Sequence, residues 1–187
     1  MQVKKTDLPD LLILKPSVFE DERGFFYESW NEKTHQNLQL NYNWVQDNYA
    51  RSQYGVIRGL HYQLNPSGQT KLVRVTQGKV IDAVVDLRKG SPTYGQSYSI
   101  ELSEENKLQL LVPKGFAHGY AVISKVADFQ YKCDSFYSKE DETGIHPLDA
   151  TFNIDWKIPS ALIQLSEKDK TAPTFENCKN NFLYEAG

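Results

Sequence analysis

Short stretches in which apolar and polar residues alternate, each closed by glycine, proline or a polar turn, run along most of the chain. A strand half-buried in a sheet demands that period of two, because successive side chains leave opposite faces. The pattern predicts strands at 11–19, 56–63, 71–76, 79–86, 94–102, 109–112, 119–123 and 127–133. Helical periodicity is scarce: one short helix is expected over 31–40, and a single turn over 104–108 with Ser103 as its cap. Closely spaced strands without long helices between them predict an all-β antiparallel sandwich or barrel, with a jelly roll the natural architecture, and not a parallel sheet. Within Ala127-Asp128-Phe129-Gln130-Tyr131-Lys132-Cys133, alternation puts Ala127, Phe129, Tyr131 and Cys133 on one face. Tyr131 is thereby expected to point inward, where its hydroxyl needs a partner or a task.

Composition narrows the picture. A chain of 187 residues, 40% hydrophobic and 12% aromatic, can bury one core, and no repeat, low-complexity tract or linker offers a domain boundary, so a single domain over 1–187 is expected. The net charge of −3 is spread along the sequence, with no basic run of the kind that releases counterions from nucleic acid. Neither a nucleic-acid nor a membrane partner is expected. Met1 is followed by polar and charged residues instead of an apolar signal core, which predicts a cytoplasmic protein. Cys133 and Cys178 stand far apart and form neither a disulfide framework nor a thiol metal clip. Both are expected to be reduced, with Cys133 buried.

Four histidines are present: His35, His61, His118 and His146. His61 ends the strand containing Arg58-Gly59-Leu60-His61-Tyr62-Gln63, where Ile57, Gly59, His61 and Gln63 share one parity. Taken alone, an inward histidine is more often a hydrogen-bonded core residue than a functional one. A metal-binding barrel of this kind needs a second histidine two positions on, and Gln63 stands there. No metal site is therefore expected, and His61 is left for acid–base work or packing. Leu165-Ser166-Glu167-Lys168-Asp169 alone reads as a surface turn, and Gly24 as a tight turn before a strand.

Taken together, Asp21-Glu22-Arg23-Gly24-Phe25-Phe26-Tyr27-Glu28, Gln46-Asp47-Asn48, Arg58-Gly59-Leu60-His61-Tyr62-Gln63 and Lys71-Leu72-Val73-Arg74 resemble the dTDP-4-dehydrorhamnose 3,5-epimerase family. So do Asp86-Leu87-Arg88-Lys89-Gly90-Ser91-Pro92-Thr93, Pro113-Lys114-Gly115-Phe116-Ala117-His118-Gly119, Tyr131-Lys132 and Leu165-Ser166-Glu167-Lys168-Asp169. The order and spacing of these segments extend the resemblance over nearly the whole chain. It implies a cupin-type jelly roll (a double-stranded β-helix barrel) and a homodimer whose N-terminal strands cross to complete the partner's site. It implies epimerisation of a dTDP-linked 4-keto-6-deoxyhexose without a cofactor. His61 matches the base of the family, Asp169 its paired carboxylate and Tyr131 its general acid. Arg23, Glu28, Gln46, Asp47, Asn48, Arg58, Lys71, His118, Glu142 and Lys168 match substrate-contacting positions, some of them supplied across the dimer. The segment Gly144-Ile145-His146-Pro147-Leu148-Asp149 lacks the tryptophan expected near here, in a loop expected to border the sugar pocket.

The chemistry explains these residue types. Both C3 and C5 flank the C4 ketone, whose oxygen holds the charge left when a proton departs, so the substrate supplies its own electron sink. Inversion needs removal on one face and delivery on the other. A neutral imidazole suits the first task and a protonated phenol the second. Asp169 on the other ring nitrogen fixes the tautomer and stabilises the imidazolium, and Lys71 is placed to meet the enolate oxygen. Arg23 and Arg58 suit a pyrophosphate, and Phe26 or Tyr137 a thymine or sugar face. The bland alternatives are solvated strand-end charges for Lys71 and Arg58, and core packing for the aromatics. Strict alternation would put Arg58 and His61 on opposite faces, so a shared pocket requires a bulge or Arg58 at the strand mouth. A single-centre epimerase and a non-catalytic sugar-nucleotide-binding module remain alternatives at this level.

Overall fold

The structure, a computed structural model, describes residues 1–185. The chain passes through β1 (Gln2–Lys5), β2 (Leu12–Lys15), β3 (Phe19–Asp21), β4 (Gly24–Phe26) and helix α1 (Glu32–Asn37), then β5 (Gln46–Gln53), β6 (Ile57–Gln63), β7 (Lys71–Gln77) and β8 (Lys79–Asp86). It continues through β9 (Ser97–Ser103), β10 (Gln109–Val112), β11 (Phe116–Val122), β12 (Val126–Cys133) and β13 (Glu142–Gly144) to helix α2 (Glu167–Lys170). Six strands form one sheet in the order β1-β2-β10-β7-β12-β5, and five form a second in the order β13-β6-β11-β8-β9. The two antiparallel sheets face one another as a cupin-type jelly roll. The strands expected at 56–63, 71–76, 79–86, 109–112 and 127–133 are present to within about a residue at each end; of 11–19 only β2 forms before the chain breaks and β3 begins, 94–102 starts at Ser97, and 119–123 starts earlier, at Phe116.

Three apolar layers hold this arrangement. Between the sheets lie Val73, Val75, Val80, Val84, Leu110, Val122 and Phe129. Behind the five-stranded sheet, Ile81, Ala83, Val85 and Ala117 are covered by Phe152, Trp156 and Phe182 from the C-terminal segment. Strand β8 is consequently buried on both faces, which is why it reads as a nearly continuous apolar run interrupted by Asp82. Outside the six-stranded sheet, Leu14, Leu72 and Leu111 pack under Leu40 and the aromatic residues around α1.

Three differences from the sequence expectation have physical causes. Helix α1 is shorter than 31–40: Asn31 caps it by accepting a bond from the Thr34 N–H, and the chain leaves the helix at Leu38, with Gln39 at φ 61°. Strand β5 was hidden because its alternation is one of burial without hydrophobicity; its inner positions include Gln46 and Asn48. Strands β3 and β4 pair only with each other, as an exposed hairpin in which Phe19, Phe25 and Phe26 are 66%, 59% and 67% exposed. The turn expected after Ser103 forms, with the Asn106 N–H donating to the Ser103 hydroxyl. No helix among the described residues is long and apolar enough to cross a membrane.

Candidate active site

Strand β6 supplies the first residue of the site, and its irregularity positions it. His61 lies opposite His118 on β11, yet Arg58 lies opposite Tyr120, so three steps on β6 match two on β11. This bulge resolves the parity conflict between Arg58 and His61. It falls at Gly59, where φ is 128° and a Cβ would sit 2.5 Å from the Gly119 Cα, a place only glycine fits. With the parity reset, Arg58 reaches across the barrel and its Nε donates to Ser52 Oγ on β5 at 3.0 Å.

His61 Nε2 donates to Asp169 Oδ1 at 2.5 Å, joining β6 to α2 across 108 residues of sequence. Burial pushes the Asp169 carboxyl upward, but the hydrogen bond and charge of His61, with the Ser166 hydroxyl, outweigh it and hold the group below its ordinary value. Asp169 is therefore a carboxylate that can only accept, so Nε2 carries a proton, and in the neutral ring the lone pair is on Nδ1. The segment that alone reads as a surface turn is a capped helical turn with Asp169 only 3% exposed, its N–H donating to Ser166 Oγ.

His61 lines a cavity of about 360 Å³ together with Gln46, Asn48, Gln63, Gln69, Lys71, Tyr131, Tyr137 and Glu142. Tyr131 points inward, as alternation predicts, and burial above all pushes its phenol up to about 12, so it stays protonated at neutral pH. Lys71 Nζ lies 5.9 Å from the centre of the Tyr131 ring. Burial lowers the Lys71 ammonium, opposed by the Cys133, Asp82 and Glu142 charges. Among the described residues neither the Lys71 ammonium nor the Tyr131 hydroxyl has a hydrogen-bonding side chain. At the rim, Glu142 Oε2 accepts from Tyr137 Oη at 2.9 Å and from Lys168 Nζ at 2.6 Å.

Other predicted residues stand apart from this cavity. His118 lies directly opposite His61 and faces the barrel interior with it, but it is buried deeper, stacked on Phe129 with its Nε2 bonded to Asp82 at 2.9 Å. Alternation on β5 turns Asp47 outward, where it pairs with Lys132 at 3.0 Å. Arg23 pairs with Asp21, Phe26 is exposed on the hairpin, and Glu28 accepts from Asn31, all away from His61 within this chain. Residues 145–149 do not line the cavity, contrary to the expectation of a bordering loop: Ile145 exchanges backbone hydrogen bonds with Leu60 and is buried in the outer core.

Two buried polar residues beside the site were given no role by the sequence reading. Gln63, where a metal barrel would place histidine, is buried and ties the loop above the cavity: its Nε2 donates to the Ser67 carbonyl and its Oε1 accepts from the Ser138 N–H. Its shared parity with His61 was the available signal. Asp82, fully buried and raised by burial against the pull of His118 and Lys71, was signalled by one charge inside an apolar strand.

Comparison with known proteins agrees with this fold. The family model for dTDP-4-dehydrorhamnose 3,5-epimerase matches residues 5–177. A dTDP-4-dehydrorhamnose 3,5-epimerase of Shigella flexneri is 50% identical over 176 residues, covering 94% of this chain and 96% of the relative. The crystal structure of the Elizabethkingia anophelis dTDP-4-dehydrorhamnose 3,5-epimerase superposes with a TM-score of 0.90 at 53% identity, covering 97% of this chain and 99% of the other. That of the Legionella pneumophila dTDP-6-deoxy-D-glucose-3,5-epimerase, in complex with dTDP-4-keto-L-rhamnose, gives 0.94 at 46% identity and covers 99% of each chain. A His–Asp pair with a buried carboxylate lines one cavity with a phenol and an ammonium, on a barrel that these relatives match from end to end, and the chain belongs to the dTDP-4-dehydrorhamnose 3,5-epimerase family.

Proposed function

We propose that this protein epimerises dTDP-4-keto-6-deoxy-D-glucose at C3 and C5, giving dTDP-4-keto-L-rhamnose. The observation that carries the reading is the convergence of His61, backed by Asp169, with Tyr131 and Lys71 on one cavity. His61 Nδ1 takes the proton from C5, and the electron pair of that C–H bond moves into the C4–C5 bond as the C4 oxygen becomes an enolate. Lys71 donates to that oxygen. Tyr131 then delivers its proton to C5 from the opposite face as the enolate returns to the ketone, leaving a phenolate that solvent reprotonates while the His61 imidazolium releases its proton to solvent. The same enolate logic applies at C3, the other carbon next to the ketone. The substrate ketone is the only electron sink the steps use, so the reading invokes no cofactor.

The nucleotide is assigned to Gln46, Asn48, Arg58, Tyr137, Glu142 and Lys168 around the cavity, with His118 supporting the wall. Arg23, Phe26 and Glu28 are assigned to a second copy's site in a homodimer. Their hairpin is exposed and partnered with nothing else in its own sheet, which suits an arm that completes a neighbour. Mixing Arg23→Ala and His61→Ala subunits tests the exchange. Heterodimers would then hold one intact site, restoring about a quarter of wild-type activity on statistical mixing, whereas sites built within single chains would restore none.

The primary test is product identification by NMR after incubating dTDP-4-keto-6-deoxyglucose in D2O. Deuterium at both C3 and C5 is expected; label at one carbon only would mark a single-centre epimerase, and none would mark a binding module.

A further inference from the structure

Gln63 stands two residues after His61 on β6, and it is 4% exposed although it lines the cavity. Its amide nitrogen carries two hydrogens, and both are engaged: one with the Ser67 carbonyl at 2.6 Å, the other with the Phe136 carbonyl at 3.2 Å. Its Oε1 accepts from the Ser138 N–H at 2.7 Å. No donor is left for a guest, so this side chain is built to hold protein. What it holds lies on either side of Tyr137: the carbonyl before that residue and the N–H after it. Residues 134–141 form neither helix nor strand, so bonds from outside the segment set its shape. Tyr137 itself is 53% exposed at the cavity rim, its N–H donating to Gln46 Oε1 at 3.0 Å and its hydroxyl to Glu142 Oε2 at 2.9 Å. Glu142 in turn lies opposite Gln63 where β6 pairs with β13.

We propose that Gln63 is a positioning residue of the nucleotide subsite: its amide clasps the backbone on both sides of Tyr137 and presents that ring as a fixed face for the thymine. A half-exposed aromatic on an irregular loop would otherwise sample many orientations, and stacking rewards only the few that lie flat on a base. The same strand thus aims the imidazole of His61 into the cavity and, one alternation further on, braces the wall that receives the base. Gln63 acts through Tyr137 and touches no reacting atom. The inference rests on the assignment of the nucleotide to this rim.

The test is a double-mutant cycle on the full-length protein, with the Kd for dTDP measured by calorimetry beside kcat and KM. Gln63→Met is expected to raise both Kd and KM about fivefold to tenfold, with kcat within about twofold of wild type. In a Tyr137→Ala background there is no ring to aim, so the same substitution should change Kd by less than about twofold. Gln63→Glu keeps the volume and the acceptor but sets a carboxylate against the Ser67 and Phe136 carbonyls. It should reproduce the loss, and it serves if Gln63→Met does not fold. An equal loss of affinity in both backgrounds, or a fall in kcat with Kd and KM retained, would overturn the proposal. Coupling in the cycle without exchange of the substrate's α-protons by the wild type would leave the brace standing and remove the epimerase reading. Exchange without coupling would do the reverse.

Discussion

Two buried polar clusters in this barrel are built alike and end differently. Around Asp86, every acceptor is taken: Arg88 donates from its backbone N–H, Nε and Nη2 at 2.9 Å each, and Ser91 and Thr93 add their hydroxyls at 2.6 and 2.8 Å. The remaining Arg88 donors go to Asp10 and the Pro9 carbonyl, and the guanidinium lies over the Phe116 and Tyr184 rings. In the cavity, Asp169 and His61 satisfy each other, but Lys71 and Tyr131 face open space without a hydrogen-bonding side chain among the described residues. Both clusters lie in segments that carry the family resemblance. A closed cluster knits the N-terminus, the β8–β9 connection and the C-terminal segment together. An open one keeps its donors for a guest, since a buried polar group without a partner is otherwise too costly to retain.

That contrast can be broken by substitution. Lys71→Met removes an open donor and should lower kcat by about 10²–10³ while leaving thermal stability within a degree or two or raising it, because no bond is lost; kinetics and calorimetry on one preparation check both. Arg88→Met strands the Asp86 carboxylate in the closed cluster, at a cost of about 3–5 kcal/mol and a fall in Tm on the order of 10 °C, with kcat per folded molecule preserved. A loss of kcat larger than the loss of folded protein would move Arg88 from architecture to chemistry. The smallest effect is a pH slope at a third pair. Asp128 is held down to about 2, chiefly by the forked hydrogen bonds of Arg51. Its folded value lies below its unfolded one, so its stabilisation is complete above about pH 4 and drains away as the pH falls toward about 2. Asp128→Asn should flatten the dependence of Tm on pH in that window and leave it unchanged near neutrality.

How much was legible in the sequence follows the same division. Strands with an apolar inner face, such as β7 and β12, announced themselves by alternation, and alternation aimed Tyr131 correctly. Strand β5 did not, because its inner residues Gln46 and Asn48 are polar walls of the cavity, so the pattern failed where the site begins. No local signal links His61 to Asp169 across 108 residues; only the resemblance paired them before the fold brought them together. The bulge at Gly59, which lets Arg58 share the inner side with His61, was one of two readings left open by their spacing, and its position was set by the close approach of Gly119. The opposite facings of Asp47 and its neighbours Gln46 and Asn48 were already implied by period two within one tripeptide.

The most direct measurement is the rate of solvent deuterium entry at C5 and C3 of dTDP-4-keto-6-deoxyglucose, comparing wild type with His61→Ala of equal Tm. The account predicts loss of exchange at C5 by about 10²–10⁴ in the variant, with dTDP binding retained. Exchange in His61→Ala at the wild-type rate would contradict it.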